Sequence, residues 1–85
     1  MKGLTEESIE RAVRDAVANA LTDKQREAVE MFFFEGLSQS EIARRSGVSQ
    51  QVIQKRIFGV VRQGAVVGGA LAKLRAALAP LVIAE

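Results

Sequence analysis

The sequence predicts an all-α fold, a small bundle of about five helices, and three observations predict it. Apolar residues recur at helical spacing through most of the chain. Gly36 and Gly47 each end such a run and are followed two residues later by a serine, Ser38 and Ser49, so that a helix stop is followed at once by a helix start. The length of 85 residues, 48% of them apolar, bounds the chain to one domain with a small core.

The same composition narrows the chemistry. There is no Cys and no His, which removes disulfides, thiol nucleophiles and the common zinc sites. The stretch 64–70, GAVVGGA, has neither the preceding strand nor the lysine of a nucleotide-binding loop. No enzymatic activity, cofactor or metal is expected. The last apolar stretch is interrupted by Lys73 and Arg75, so neither a membrane helix nor a signal peptide is expected, and a reducing cytoplasm fits the absence of cysteine.

Residues 5–20 read as the first helix. Thr5 is its cap, Glu6 and Glu7 suit its positive end, and Ile9, Val13, Ala16, Val17 and Ala20 form its apolar stripe. Glu10 and Arg14 are spaced for an i,i+4 ion pair. Thr22 with Gln25 forms a capping box that starts a second helix running to Glu35. Phe32, Phe33 and Phe34 cannot share one helix face, so two are expected in the core and one against another helix or a second subunit.

The next two helices are short. Ser38 stands three residues before Glu41, the spacing of a capping box, and Ser49 caps the helix that follows. Ile42, Ala43 and Val48 face a core. So do Ile53, Ile57 and Val60, which recur at helical spacing, while Gln50, Gln51, Gln54 and Lys55 occupy the opposite face. A short helix, a turn with glycine and a second helix with a polar outer face make a helix-turn-helix, spanning residues 38–61. Glutamine can pair in bidentate fashion with adenine in the major groove, which points to Gln50, Gln51 and Gln54 as base-reading residues.

Charge is distributed accordingly. The net charge of the chain is +2, but residues 1–37 are acidic overall, and Arg44, Arg45, Lys55, Arg56 and Arg62 cluster between residues 38 and 63 with Glu41 as the lone acid there. Arg44, Arg45, Lys55 and Arg56 are therefore expected on DNA phosphates, with Ser38 and Ser49 adding contacts through the helix starts.

After Gly64, and across Gly68 and Gly69, the residues Val67, Leu71, Leu74, Leu78 and Leu81 repeat in steps of four and three, a seam of about two heptads. Gly64 and Gly68 have the spacing that lets helices approach closely, and Pro80 ends or kinks the helix. The seam reads either as packing on its own domain or as a C-terminal dimerisation helix. The expected organisation is a DNA-binding domain over residues 1–62 and a dimerisation helix over residues 63–85. Two modules about a two-fold axis would place their reading helices about one DNA turn, roughly 34 Å, apart on a palindrome.

The segment LTDKQREAVEMFFFEGLSQSEIARRSGVSQQVIQKRI resembles the helix-turn-helix of bacterial sigma factor region 4. The shared residues are Leu21, Thr22, Gln25, Arg26, the run from Glu35 to Ser38, Glu41 to Ala43, and Gly47 to Ser49. That likeness implies a DNA-facing side at Gln50, Gln51 and Gln54, and RNA polymerase as a further partner. A whole sigma factor also melts promoter DNA and binds polymerase through other regions, for which this chain has no room. Residues 21–61 are also similar to plasmid Kor-type repressors, the TrfB/KorA group and the small KorC. That second likeness rests on Phe32 to Gly36, Gly47 to Ser49, Ile53, Ile57 and Val60. It implies a plasmid-encoded homodimeric repressor that occludes palindromic operators in the bacterial cytoplasm, associated with the nucleoid or a plasmid, with RNA polymerase or a co-repressor as the further partner. The alternatives are a region 4-like activator, which could touch polymerase through the acidic residues between 6 and 15, and a polymerase-binding interaction module.

Overall fold

The computed structural model describes residues 5–83, with side chains through residue 79. Five helices and one short hairpin follow one another along the chain. They are α1 (Glu6–Ala20), α2 (Asp23–Val29), α3 (Gln39–Ser46), α4 (Gln50–Phe58), strands β1 (Val60–Arg62) and β2 (Ala65–Val67), and α5 (Ala70–Ile83).

The helix starts form through local bonds. The Thr5 hydroxyl accepts from the Ser8 amide at 3.0 Å. At α2 the capping box is complete: the Gln25 amide donates to the Thr22 hydroxyl at 3.2 Å, and the Thr22 amide donates to Gln25 Oε1 at 3.1 Å. Each bond satisfies an amide that has no partner inside its helix. The C-terminus of α1 carries no basic residue in its last turn. Arg26 reaches across from α2 instead, donating to the carbonyls of Val17, Ala18 and Leu21 at 3.0–3.2 Å.

Helix α2 sits between two apolar clusters through adjacent residues. Ala28 joins Ile42, Ala43, Ile53 and Ile57, with Phe32, Leu37, Val48 and Leu71 packed at the margin. Val29 joins Val17, Leu21 and Ala70, with Val13 and Leu74 alongside. Helix α5 thus folds back against α1, α2 and α4. Lys73 Nζ also donates to Gln25 Oε1 at 3.0 Å, tying α5 to the start of α2.

Several expectations change here. The second helix does not run as one α-helix to Glu35. It widens into a π-helical turn, Glu30–Phe34, closed by the Glu35 amide bonding Glu30 O at 3.0 Å. Phe32 and Phe33 still touch edge-on, their ring centroids 4.8 Å apart. Phe32 turns toward the core and meets Phe58 edge-on at 5.9 Å, while Phe33 and Phe34 remain 49% and 56% exposed. One ring is packed at the core, not two. The Glu10–Arg14 pair is not among the ion pairs of the described residues.

Val60 does not extend the apolar stripe of α4. That helix stops at Phe58 because Gly59 takes φ 79°, ψ −165°, a conformation that essentially only glycine adopts. Val60 instead opens an antiparallel hairpin in which Val60, Val61 and Arg62 pair with Val67, Val66 and Ala65. Gly64 lies in its turn, and Gly68 lies between β2 and α5, so their close-approach spacing has no helix to act on. The boundary expected after residue 62 falls at the turn of this hairpin.

The heptad seam likewise does not form as one stripe. Val67 is a strand residue, 49% exposed. Leu71 and Leu74 pack on the chain's own two clusters, and Leu78 is half-buried. The side chain of Leu81 and that of Pro80 lie outside the described residues.

Candidate nucleic-acid interface

The junction between α3 and α4 depends on one left-handed residue. Gly47, at φ 70°, lets the Val48 amide fold back onto Ala43 O at 3.1 Å, the closing bond of a glycine-terminated helix. The chain is then released two residues before Ser49, whose hydroxyl accepts from the Val52 amide at 3.2 Å and starts α4. Ile53 and Ile57, both 0% exposed, lock one face of α4 onto α2 and α3.

That anchoring decides what the other face presents. At about 100° per residue, Gln51 and Lys55 point away from the Ile53–Ile57 side, with Gln54 beside them. Gln50, Gln51, Gln54 and Lys55 are all exposed, and Arg56 is half-buried. Gln50 differs from the other glutamines because the Ser40 hydroxyl donates to its Oε1 at 2.9 Å, bridging α3 to α4. The Gln50 amide group and one oxygen lone pair remain available, held in a set direction. Ser40 did not emerge from sequence reasoning. It stands ten residues from Gln50, a separation that carries no local signal.

The cations divide into two sets. Arg44 and Arg45 both pair with Glu41, Arg45 Nε at 3.2 Å from Oε2 and Arg44 through its terminal nitrogen. The Glu41 carboxyl experiences partial burial, which pushes its pKa up. Hydrogen bonds from Arg45 and Arg44 and their charges outweigh that and hold it below the usual carboxylate value. This pairing explains why the capping box expected at Ser38 is only half made. The Ser38 hydroxyl accepts from the Glu41 amide at 3.1 Å, but the Glu41 carboxylate turns to the arginines. Among the described residues, Lys55, Arg56 and Arg62 have no ion-pair partner. The hydroxyls of Ser38 and Ser49 are engaged as caps and so act first on helix geometry.

The surface is thus a buried-backed helix with an amide-rich outer face, flanked by free and half-neutralised cations. Among the described residues no group of acidic side chains could hold a metal ion, and no helix is long and apolar enough to cross a membrane.

No curated protein and no solved structure matches the chain. Residues 11–59 match the family model described as Sigma-70, region 4. The matched span runs from within α1 to Gly59, taking in both helices of the motif and the two that support them, and ends where the hairpin begins. With more than half of its length inside that match, the chain belongs to the Sigma-70, region 4 family of helix-turn-helix DNA-binding domains.

Proposed function

We propose that the protein regulates transcription by binding duplex DNA sequence-specifically, with α4 lying in the major groove. Gln51 and Gln54 read base edges, and Gln50 does so from a position set by Ser40. Lys55, Arg56, Arg44 and Arg45 neutralise phosphates on either side, and Ser38 and Ser49 hold the helix starts that carry them. The observation that carries this reading is the opposition on α4. Two isoleucines are fully buried on one side, Gln51 and Lys55 stand opposite them, and the exposed Gln50 and Gln54 flank that face.

The finer form of the proposal is a homodimeric repressor that occludes palindromic operators. Its support is the likeness of residues 21–61 to plasmid Kor-type repressors and the small reach of a single nine-residue helix. A second copy would add avidity without new contacts per subunit. A second reading, a module that binds RNA polymerase, is favoured by the solvent-facing rings of Phe33 and Phe34. We propose no catalytic role.

The test is binding of the full chain to a duplex selected from a random-sequence pool, compared with a scrambled duplex. Gln54→Ala should narrow the gap between the two by about 1–3 kcal/mol while leaving scrambled binding nearly unchanged. Equal loss on both duplexes removes the base-reading role. Light scattering of the free protein and its complex reports whether two chains sit on one duplex.

A further inference from the structure

The family match stops at Gly59, and the hairpin that follows is unassigned. Its strands are three residues each and have no third neighbour among the described residues. A two-stranded hairpin contributes little stability of its own. This one is nevertheless fixed at its base. A Cβ on Gly59 would stand 2.7 Å from Val67 O and closer still to Gly68 O, and one on Gly69 would stand 2.7 Å from Phe58 C. Backbone therefore meets backbone where α4 ends and α5 begins, and the hairpin projects from a rigid root.

The tip is polar and cationic. The turn residues Gln63 and Gly64 have φ 51° and 80°, and Gln63 is the one non-glycine residue among those described with positive φ. Such a turn matches the strand twist and keeps the tip two residues wide. Arg62 precedes it, exposed, with no described carboxylate in ion-pair reach. No acidic residue occurs between Glu41 and Glu85. Three strand residues reach about 10 Å, and the half of α4 beyond Gln54 adds about 7 Å, so the tip lies within roughly 18 Å of Gln54. A minor groove about 6 Å wide borders the major groove across one phosphate backbone, within that reach.

We infer that the hairpin is a second DNA contact, its tip Arg62-Gln63-Gly64 lying on the phosphate backbone and minor-groove edge next to the groove that α4 fills. Arg62 neutralises a phosphate there, and the narrow tip brings backbone close to the sugar edge. The inference rests on the reading of α4 as the groove helix. DNA is favoured over another protein strand for two reasons. The strands are too short to offer a long pairing edge, and the hairpin is rooted at the end of the very helix that would sit on the duplex.

The experiment uses the full chain on a duplex it selects from a random pool, with Arg62→Ala, Arg62→Lys and Gln54→Ala. Circular dichroism and thermal melting confirm that each variant folds like the wild type. Arg62→Ala should weaken selected and scrambled duplexes alike, by severalfold, and reduce the slope of log K against log salt by about 0.9. It should also remove hydroxyl-radical protection at the flanking minor groove while the α4 footprint persists. Arg62→Lys should retain the slope. Unchanged slope and footprint in Arg62→Ala, with sequence preference still lost in Gln54→Ala, overturns the hairpin contact and leaves the α4 reading standing. A Val66→Lys variant that dissociates a dimer, while Arg62→Ala leaves DNA binding intact, overturns it in favour of pairing between chains. A wild-type chain that protects no duplex overturns both.

Discussion

Gly59→Ala tests the joint on which the hairpin and the end of α4 depend. Two costs act at this position. An alanine held at φ 79°, ψ −165° sits in a region that costs about 1–3 kcal/mol. Its methyl group also meets carbonyl backbone of β2 and its exit, Val67 O at 2.7 Å and Gly68 C at 2.9 Å, which no side-chain rotation can relieve. Reduced freedom of the unfolded chain returns about 0.4–1 kcal/mol. The expected net loss is about 3 kcal/mol, against a total stability of roughly 4–13 kcal/mol for 85 residues. Gly36→Ala is the matched control, because Gly36 also has positive φ, at 73°, but a Cβ there meets nothing within 4 Å. It should cost about 1 kcal/mol or less after the same offset. Urea titration followed by far-ultraviolet circular dichroism measures both, and Gly59→Ala should move the midpoint by about 2 M with little change in m. If the two variants lose the same stability to within about 0.5 kcal/mol, the backbone contact at the hairpin root does not contribute and the rigid root fails.

Other substitutions test other joints. Glu41→Gln releases Arg44 and Arg45 from their shared carboxylate, so binding to scrambled duplex should tighten severalfold and the salt slope should steepen, as fluorescence anisotropy would report. Glu41 has a depressed pKa, so its contribution to stability is fully present above the ordinary carboxylate value and is lost as the pH falls through the depressed one. The wild-type melting temperature should therefore fall over that acidic window more than that of Glu41→Gln. Arg26→Lys keeps the charge but loses the fork that reaches two carbonyls of α1 and that of its cap Leu21, and should cost about 1–2 kcal/mol in urea, with hydrogen exchange accelerating first in the last turn of α1.

Much of the interface was legible because it is written in short-range chemistry. Thr5, Thr22, Ser38 and Ser49 each cap through a bond to an amide three residues on. The exposure of Gln51 and Lys55 follows from their angle to Ile53 and Ile57 on one helix. The Ser40–Gln50 bond was not legible, since only the folding of α3 against α4 brings those residues together. The hairpin was missed for a different reason. Val60 continues the spacing of Ile53 and Ile57, so a helical period and a strand share the same apolar letters until Gly59 is seen to break the helix.

The sequence by itself determined where the first four α-helices start and that α4 turns Gln51 and Lys55 outward, because capping and helical periodicity act within one or two turns of the chain. Only the tertiary structure decided what the apolar residues left over would meet. Leu71 and Leu74 could serve a second chain as well as their own, and they went to Ile57 and Val29 territory because α5 folds back on the bundle. Phe33 and Phe34 stayed largely exposed on the π-helical turn that ends α2, where the bundle offers them no cover. Hydrophobic burial has no direction of its own, so an apolar stripe states that it will be covered and leaves the geometry of the whole to state by what.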